Sequence, residues 1–401
     1  MKEQKPTVKQ SDKLSVVLGA AFLMATAAVG PSFLTQSATF TQELGGTFGF
    51  VILVALLMSV IVQITIWRVI CVSGLRGQEI ADKVLPGLGY VLIVLIAGGC
   101  LIFNIGNIAG CAMGLEVIFG LDLKVGTIIA IVLTVLLFLS KEAGRWMDKL
   151  TQILGIGMIL LIAYVAVVSK SPVDEAVVGT IRPSHIPFMA ILTIVGGTVG
   201  GYHPFAGGHR LLEGRISGYE NLRKIDQSAS IGIAVANIIR ILLFVAILGA
   251  VSQGAILGAD NPAADAFRYV AGNIGYLFFG IVLLFASVSS VVGAAYTSLT
   301  FLASISEKIE RRRNLLSIVF IMISGLIFLF WGKPSSILIL TGALNGLVLP
   351  ITLGIILVAS QRQEIVGEYN HPKWLLILGV LVAIFMAYAG ISSLSSIGQL
   401  F

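Results

Sequence analysis

The chain predicts an all-α integral membrane protein: eleven transmembrane helices in two five-span halves of inverted topology, with spans one and six unwound at mid-membrane. Three observations predict it. The 401 residues are 57% hydrophobic and only 11% charged, with a mean hydropathy of +0.99, whereas a soluble domain carries roughly 25% charged residues. Apolar runs of about 20 residues, the length that crosses a hydrocarbon core, recur along the whole chain. Two of those runs are interrupted: one at Gly30-Pro31-Ser32 and one across Gly200-Gly201-Tyr202-His203-Pro204. Proline lacks the helix N–H and glycine weakens a helix. Backbone freed inside a membrane is tolerated only where it lines a cavity or meets a ligand.

Taken in order, the runs fall at about 14–43, 47–70, 90–119, 125–139, 148–169, 187–213, 228–253, 274–304, 315–331, 335–360 and 373–395. A polar tail, residues 1–13, precedes them, and residues 14–401 form one transmembrane domain. The first run carries no cleavage-type signature and reads as a span, not a signal peptide. The third carries Gly106, Gly110 and Gly114 on one face, a small-residue stripe for close helix packing. Between the fifth and sixth lies an outer linker, 171–186. The stretch 256–273 holds a short surface helix starting after Asn261, with Pro262 at its first position. Asn345 and Pro350 in the tenth run read either as a hinge with a polar contact to the breaks or as kinked packing. The two breaks lie about 170 residues apart, in spans entering from opposite sides. Repeat one is thus about 14–170, repeat two about 187–360, and span eleven stands alone. Matched interruptions in two halves mark the substrate site of a secondary transporter.

Lysine and arginine set the orientation. With the N-terminus cytoplasmic, twenty of them face inward, among them the run Arg311-Arg312-Arg313, and five outward. The C-terminus then lies outside, and the cell membrane is the expected location. The net charge of +6 reflects this bias, so it argues for no nucleic-acid partner, and no obligate protein partner is evident. Cys71, Cys100 and Cys111 have no metal-ligand spacing and read as packing residues. No nucleophile–base pair or metal cage is visible, so an enzyme is not expected, and no cofactor motif appears.

The strings along these spans resemble the Nramp family of divalent-metal transporters, which has the leucine-transporter-like fold. LGAAFLMATAAVGPSF has the shape of the family's LGPALLVAVGYMDPGN. NIAGCAMGL is similar to EFIGAALGL, GTVGGYH to GAVIMPH, and the tenth span carries LNGLVLP. The resemblance implies alternating-access transport of a divalent cation. It departs where the family's chemistry resides. The family's metal-ligating Asp and Asn fall on Gly30 and Phe33, and its methionine falls on Gly201. Its acidic pair for proton passage falls on Asn104 and Asn107. The family's histidine persists as His203.

The residues themselves offer Ser32, Thr35, Gln36, Tyr202 and His203 at the breaks, with freed carbonyls but no carboxylate or thioether. A Mn²⁺ or Fe²⁺ site wants carboxylate, imidazole and soft sulfur. If a divalent cation is the cargo, hydrated Mg²⁺, which keeps its waters, is the better candidate. Arg240 points elsewhere. It sits within the seventh span with no acidic residue at its depth, and an intramembrane ionisable group is a functional candidate by default. With the positive end of the helix after the first break, it suits a small organic anion or amino-acid-like solute. His203 can carry a proton, ligate an ion or cap a carbonyl; Asn104 and Asn107, i and i+3 on one face, line a polar path or pack. The candidate site is therefore Gly30, Ser32, Phe33, Thr35, Gln36, Gly201, Tyr202, His203 and Arg240. A divalent cation is placed first, an organic anion second, and a non-transporting sensor or scaffold third.

Overall fold

The computed structural model describes Ala21 and residues 29–398, which are helical apart from turns and loops. The helices of the first half are α1 (Pro31–Leu44), α2 (Phe48–Ser73), α3 (Gly77–Val84), α4 (Leu88–Phe119), α5 (Leu123–Leu139), α6 (Lys141–Val168) and α7 (Val173–Ile181). There follow α8 (Phe188–Val199), α9 (His203–Glu213), α10 (Leu222–Ser252), α11 (Pro262–Ala303), α12 (Glu307–Arg311) and α13 (Arg313–Trp331). The last are α14 (Pro334–Ala359), α15 (Gln363–Val366), α16 (Lys373–Ser392) and α17 (Leu394–Gly398).

Among the described residues, seven helical runs are long and apolar enough to cross a membrane, or eight if the bent pair Ile153–Val168 and Val173–Ile181 is one span. That is fewer than the eleven expected. Residues 14–20 and 22–28 of the expected first span lie outside the described residues, and two physical features lower the count. The helices α5, α8 and α9 have 17, 12 and 11 residues, below the roughly 20 that span a bilayer. The run Pro31–Ser73 counts once although its 43 residues would extend about 65 Å as one rod, twice a hydrocarbon core. Gly45, at φ 52 and ψ −136, turns the chain between α1 and α2.

Two loop expectations meet different outcomes. The surface helix after Asn261 is present: the Asn261 side chain accepts from the Ala264 amide at 3.3 Å, and Gly272 (φ 63, ψ −160) ends it before the span. The linker 171–186 is instead largely α7, bent by 103° from α6. Asp174 and Glu175 occupy its positive first turn, and Glu175 reaches across to accept from the Gly46 amide at 3.2 Å.

Glycine contacts position the breaks. A Cβ on Gly196 of α8 would lie 2.1 Å from the Gly342 carbonyl oxygen of α14, and one on Gly346 2.5 Å from that of Leu192, so these helices touch backbone to backbone. The small-residue stripe of α4 packs as expected. A Cβ on Gly110 would lie 2.5 Å from Pro31 Cβ and from Ser287 Oγ, and one on Gly114 2.8 Å from the Leu284 backbone nitrogen. Large side chains there would push α1 and α11 away from α4. α14 runs through Pro350 as one helix, so no hinge forms there. At the other end of α2, Arg68 forms a two-pronged ion pair with Asp226 of α10, one arm 2.7 Å.

Candidate substrate site at the broken helices

The second break is narrower than the sequence suggests. α8 stops at Val199 and α9 resumes at His203, leaving Gly200, Gly201 and Tyr202 between them. Pro204 falls at the second position of α9, where its missing N–H costs nothing. Pro31 opens α1 in the same way, with Gly30 extended before it at φ −102, ψ −171. First-turn amides have no partner inside their own helix. Two positive helix ends therefore begin at one place. Trp67 of α2 steadies this start by donating from Nε1 to the Pro204 carbonyl at 2.7 Å.

The helix starts enclose a cavity of about 10 Å³ lined by Gly30, Ser32, Phe33, Phe103, Asn107, Gly197, Tyr202, His203 and Ser290. That is the room of about one water. Six of the sequence-predicted residues thus meet here: Gly30, Ser32, Phe33, Asn107, Tyr202 and His203. Sequence reading missed Phe103, Gly197 and Ser290. Phe103 stands four residues before Asn107, on the same helical face, and its ring meets His203 edge-on at 4.7 Å and Tyr202 at 5.9 Å. Ser290 carried no signal in the sequence, because nothing local marks which face of α11 turns to α1.

Five predicted residues do not line the cavity. Thr35 is buried outside its lining. Gln36 donates from Nε2 to the Leu338 carbonyl at 2.7 Å, turning Oε1 toward Gly197. Asn104 donates to Ser324 Oγ at 3.0 Å, an interhelical hydrogen bond between α4 and α13, and lies outside the lining that includes Asn107. Gly201 adopts φ 59, and a Cβ there would lie 2.2 Å from Asn345 Oδ1. Asn345 thus packs against the break, its Nδ2 held on the Thr341 carbonyl at 2.8 Å, while its Oδ1 makes no hydrogen bond there among the described residues. Ser32 Oγ and Thr341 Oγ1 share a hydrogen bond of 2.9 Å, tying the start of α1 to the same helix.

Arg240 lies one side chain behind the wall. It is 1% exposed, its guanidinium stands 4.2 Å from the centre of the Phe33 ring, and it donates to Thr198 Oγ1 at 3.1 Å. No carboxylate pairs with it among the described residues, and its Nε is buried without a partner there. A desolvated cation over an aromatic face gains about 2 kcal/mol. That offsets only part of what an arginine costs at mid-membrane, about 2.5–3.5 kcal/mol on insertion scales. Among the described residues no group of three or more His, Cys, Asp or Glu is placed to hold a metal ion.

The family model described as natural resistance-associated macrophage protein-like (Nramp) matches residues 21–396. The chain belongs to the Nramp family. It is 50% identical over 395 residues, 98% of each chain, to the uncharacterized membrane protein YcsG of Bacillus subtilis. It is 23% identical to the divalent metal cation transporter MntH of Listeria welshimeri, over 94% of this chain and 89% of that one. In fold it is similar to the Eremococcus coleocola manganese transporter, with a TM-score of 0.78 at 16% identity over 98% of this chain and 89% of that one. MhsT in complex with L-phenylalanine has a TM-score of 0.61 at 14% identity, over 95% and 98%. This Nramp chain therefore has the leucine-transporter-like fold and is a membrane transporter, not an enzyme.

Proposed function

We propose that this Nramp relative carries a small organic anion, of the size of an amino acid or a simple carboxylate, by alternating access between α1 and the α8–α9 break. The single observation that carries the reading is Arg240: a buried guanidinium against the Phe33 wall, with no carboxylate partner among the described residues. A carboxylate in the cavity gains the two helix N-termini, the hydroxyls of Ser32 and Ser290, and the field of Arg240. Its charge also relieves the unpaired cation. In the present conformation the cavity is too small for any such solute, so loading requires α1 or α9 to move away from α4. The reading includes eleven crossings in a five-plus-five inverted repeat, with the N-terminus cytoplasmic.

Family membership favours a second reading, a divalent cation, and relatives at 23–24% identity bear the name divalent metal cation transporter. The local chemistry weighs against it. The family's ligand positions hold Gly30 and Phe33. The methionine position is closed, since any side chain on Gly201 would meet Asn345. Arg240 would repel a cation, and a hydrated Mg²⁺ gains no carboxylate here to replace the waters it gives up.

The test is thermal stability of the purified protein against small carboxylates and divalent cations. A ligand specific for the folded state adds about 2.7 kcal/mol at a hundredfold excess over its Kd. Stabilisation by a carboxylate that disappears in Arg240→Ala supports the anion reading. Stabilisation by Mg²⁺ or Mn²⁺ that survives Arg240→Ala refutes it.

A further inference from the structure

A second cluster of cations lies far along the chain from the breaks. Where α11 ends and α13 begins, Tyr296, Glu310, Arg311, Arg312, Arg313 and Leu315 enclose an open recess of about 520 Å³. Both α11 and α13 are long and apolar enough to cross a membrane, so a recess at their joined ends sits at the depth of lipid headgroups.

The three arginines are not equivalent. Arg313 is built in: it stacks 4.1 Å over the Tyr296 ring, donates to Thr300 Oγ1 at 2.5 Å and approaches Glu310 at 3.7 Å. Arg311 makes one solvent-exposed contact, 3.7 Å to Glu307, a kind of pair that contributes little. Arg312 is exposed and has no acidic partner among the described residues. From the arginines an apolar stripe runs down one face of α13. Leu315, Val319, Met322 and Leu326 follow helical spacing and are 57%, 40%, 46% and 46% exposed.

We propose that this recess binds one anionic glycerophospholipid, with its phosphate on Arg312 and Arg311 and an acyl chain along the α13 stripe. Positive charge at the rim with an uninterrupted apolar track leading away from it is the chemistry of such a lipid. A soluble phosphate would use the rim alone. The positive N-terminal end of α13 adds to the attraction, and each basic residue near an anionic surface contributes about 1 kcal/mol.

The test is native mass spectrometry of the full chain with equimolar phosphatidylglycerol and phosphatidylcholine, alone and with millimolar inorganic phosphate. One retained phosphatidylglycerol per chain is expected. Arg311→Ala/Arg312→Ala should lower its preference over phosphatidylcholine by roughly 10- to 30-fold. Arg223→Ala/Lys224→Ala, which removes basic charge elsewhere, should leave it unchanged. Equal losses in the two double variants would overturn the proposal, as would displacement of the lipid by inorganic phosphate or an unchanged preference in the first variant.

Discussion

At the scale of single residues, Arg240 decides the chemistry. Its only polar contact among the described residues is Thr198 Oγ1, which itself donates to the Ile194 carbonyl at 2.7 Å. Behind the Phe33 ring, Arg240 acts on the cavity through its field, and two unit charges roughly 8 Å apart at an effective dielectric of about 20 attract by about 2 kcal/mol. Arg240→Ala should therefore weaken carboxylate binding by about 10- to 100-fold, measured by calorimetry or ligand-dependent melting. Arg240→Lys should restore only part of it, because an ammonium keeps the charge but loses the planar stacking on Phe33. His371, in the connection before α16, gives a residue-scale prediction away from the site. Burial first, and then Arg68, lower its pKa from 6.5 to about 4, while Tyr369 shares a 3.1 Å hydrogen bond with its Nδ1. The folded state therefore holds it neutral where the unfolded chain protonates. Its contribution is fully present above pH 6.5 and is lost as pH falls from about 6.5 through 4. The wild-type melting temperature should drop more steeply across that window than that of His371→Gln. Parallel curves would show that His371 is not the group responsible.

At the scale of elements, the break between α8 and α9 depends on α14. Gly201 takes a left-handed backbone at φ 59 with Asn345 against it, while Gly196, Gly342 and Gly346 hold α8 on α14. A side chain in the left-handed region costs about 1–2 kcal/mol, and Gly201→Ala adds a 2.2 Å approach to Asn345 Oδ1. We expect Gly201→Ala to destabilise by at least that amount in thermal unfolding. Asn345→Ala should recover the contact part but not the backbone part, so the two substitutions should be non-additive. Full additivity would mean that Asn345 does not pack on the break. By contrast Pro350, in the same helix, leaves α14 continuous, since packed neighbours can absorb a missing hydrogen bond that a sequence alone marks as a hinge.

At the scale of the molecule, the cavity holds about one water, so a transport cycle must enlarge it. Ser290 offers a probe because Cys71, Cys100 and Cys111 are all fully buried and should not react. Ser290→Cys should be modified by a small, water-soluble thiol reagent in the membrane-embedded protein, and a transported carboxylate should slow that modification. Mass spectrometry reads both. A cysteine at 290 that never reacts, with or without solute, would contradict opening of this cavity to water.

Local features explain what was legible without coordinates. Membrane class follows from hydropathy, and the breaks follow from Gly30-Pro31 and Gly200-Gly201, because glycine and proline act on their own few residues. The Asn261 cap, the α4 glycine stripe and the unusual Arg240 were legible for the same reason. The helix α7 was not, because a nine-residue segment held partly by Glu175 on a distant amide carries no long apolar run. Span number was only partly legible, since a hydropathy profile counts a broken helix whole where backbone geometry divides it. The sequence by itself determined the class, the family and the positions of the two breaks. Only the tertiary structure decided which polar groups meet, Ser32 with Thr341 across 309 positions and Asn104 with Ser324 across 220, and that Asn345 packs against Gly201. Such pairings depend on which helix faces pack together, and in spans such as α2, α4 and α14 the hydropathy is nearly the same in every direction.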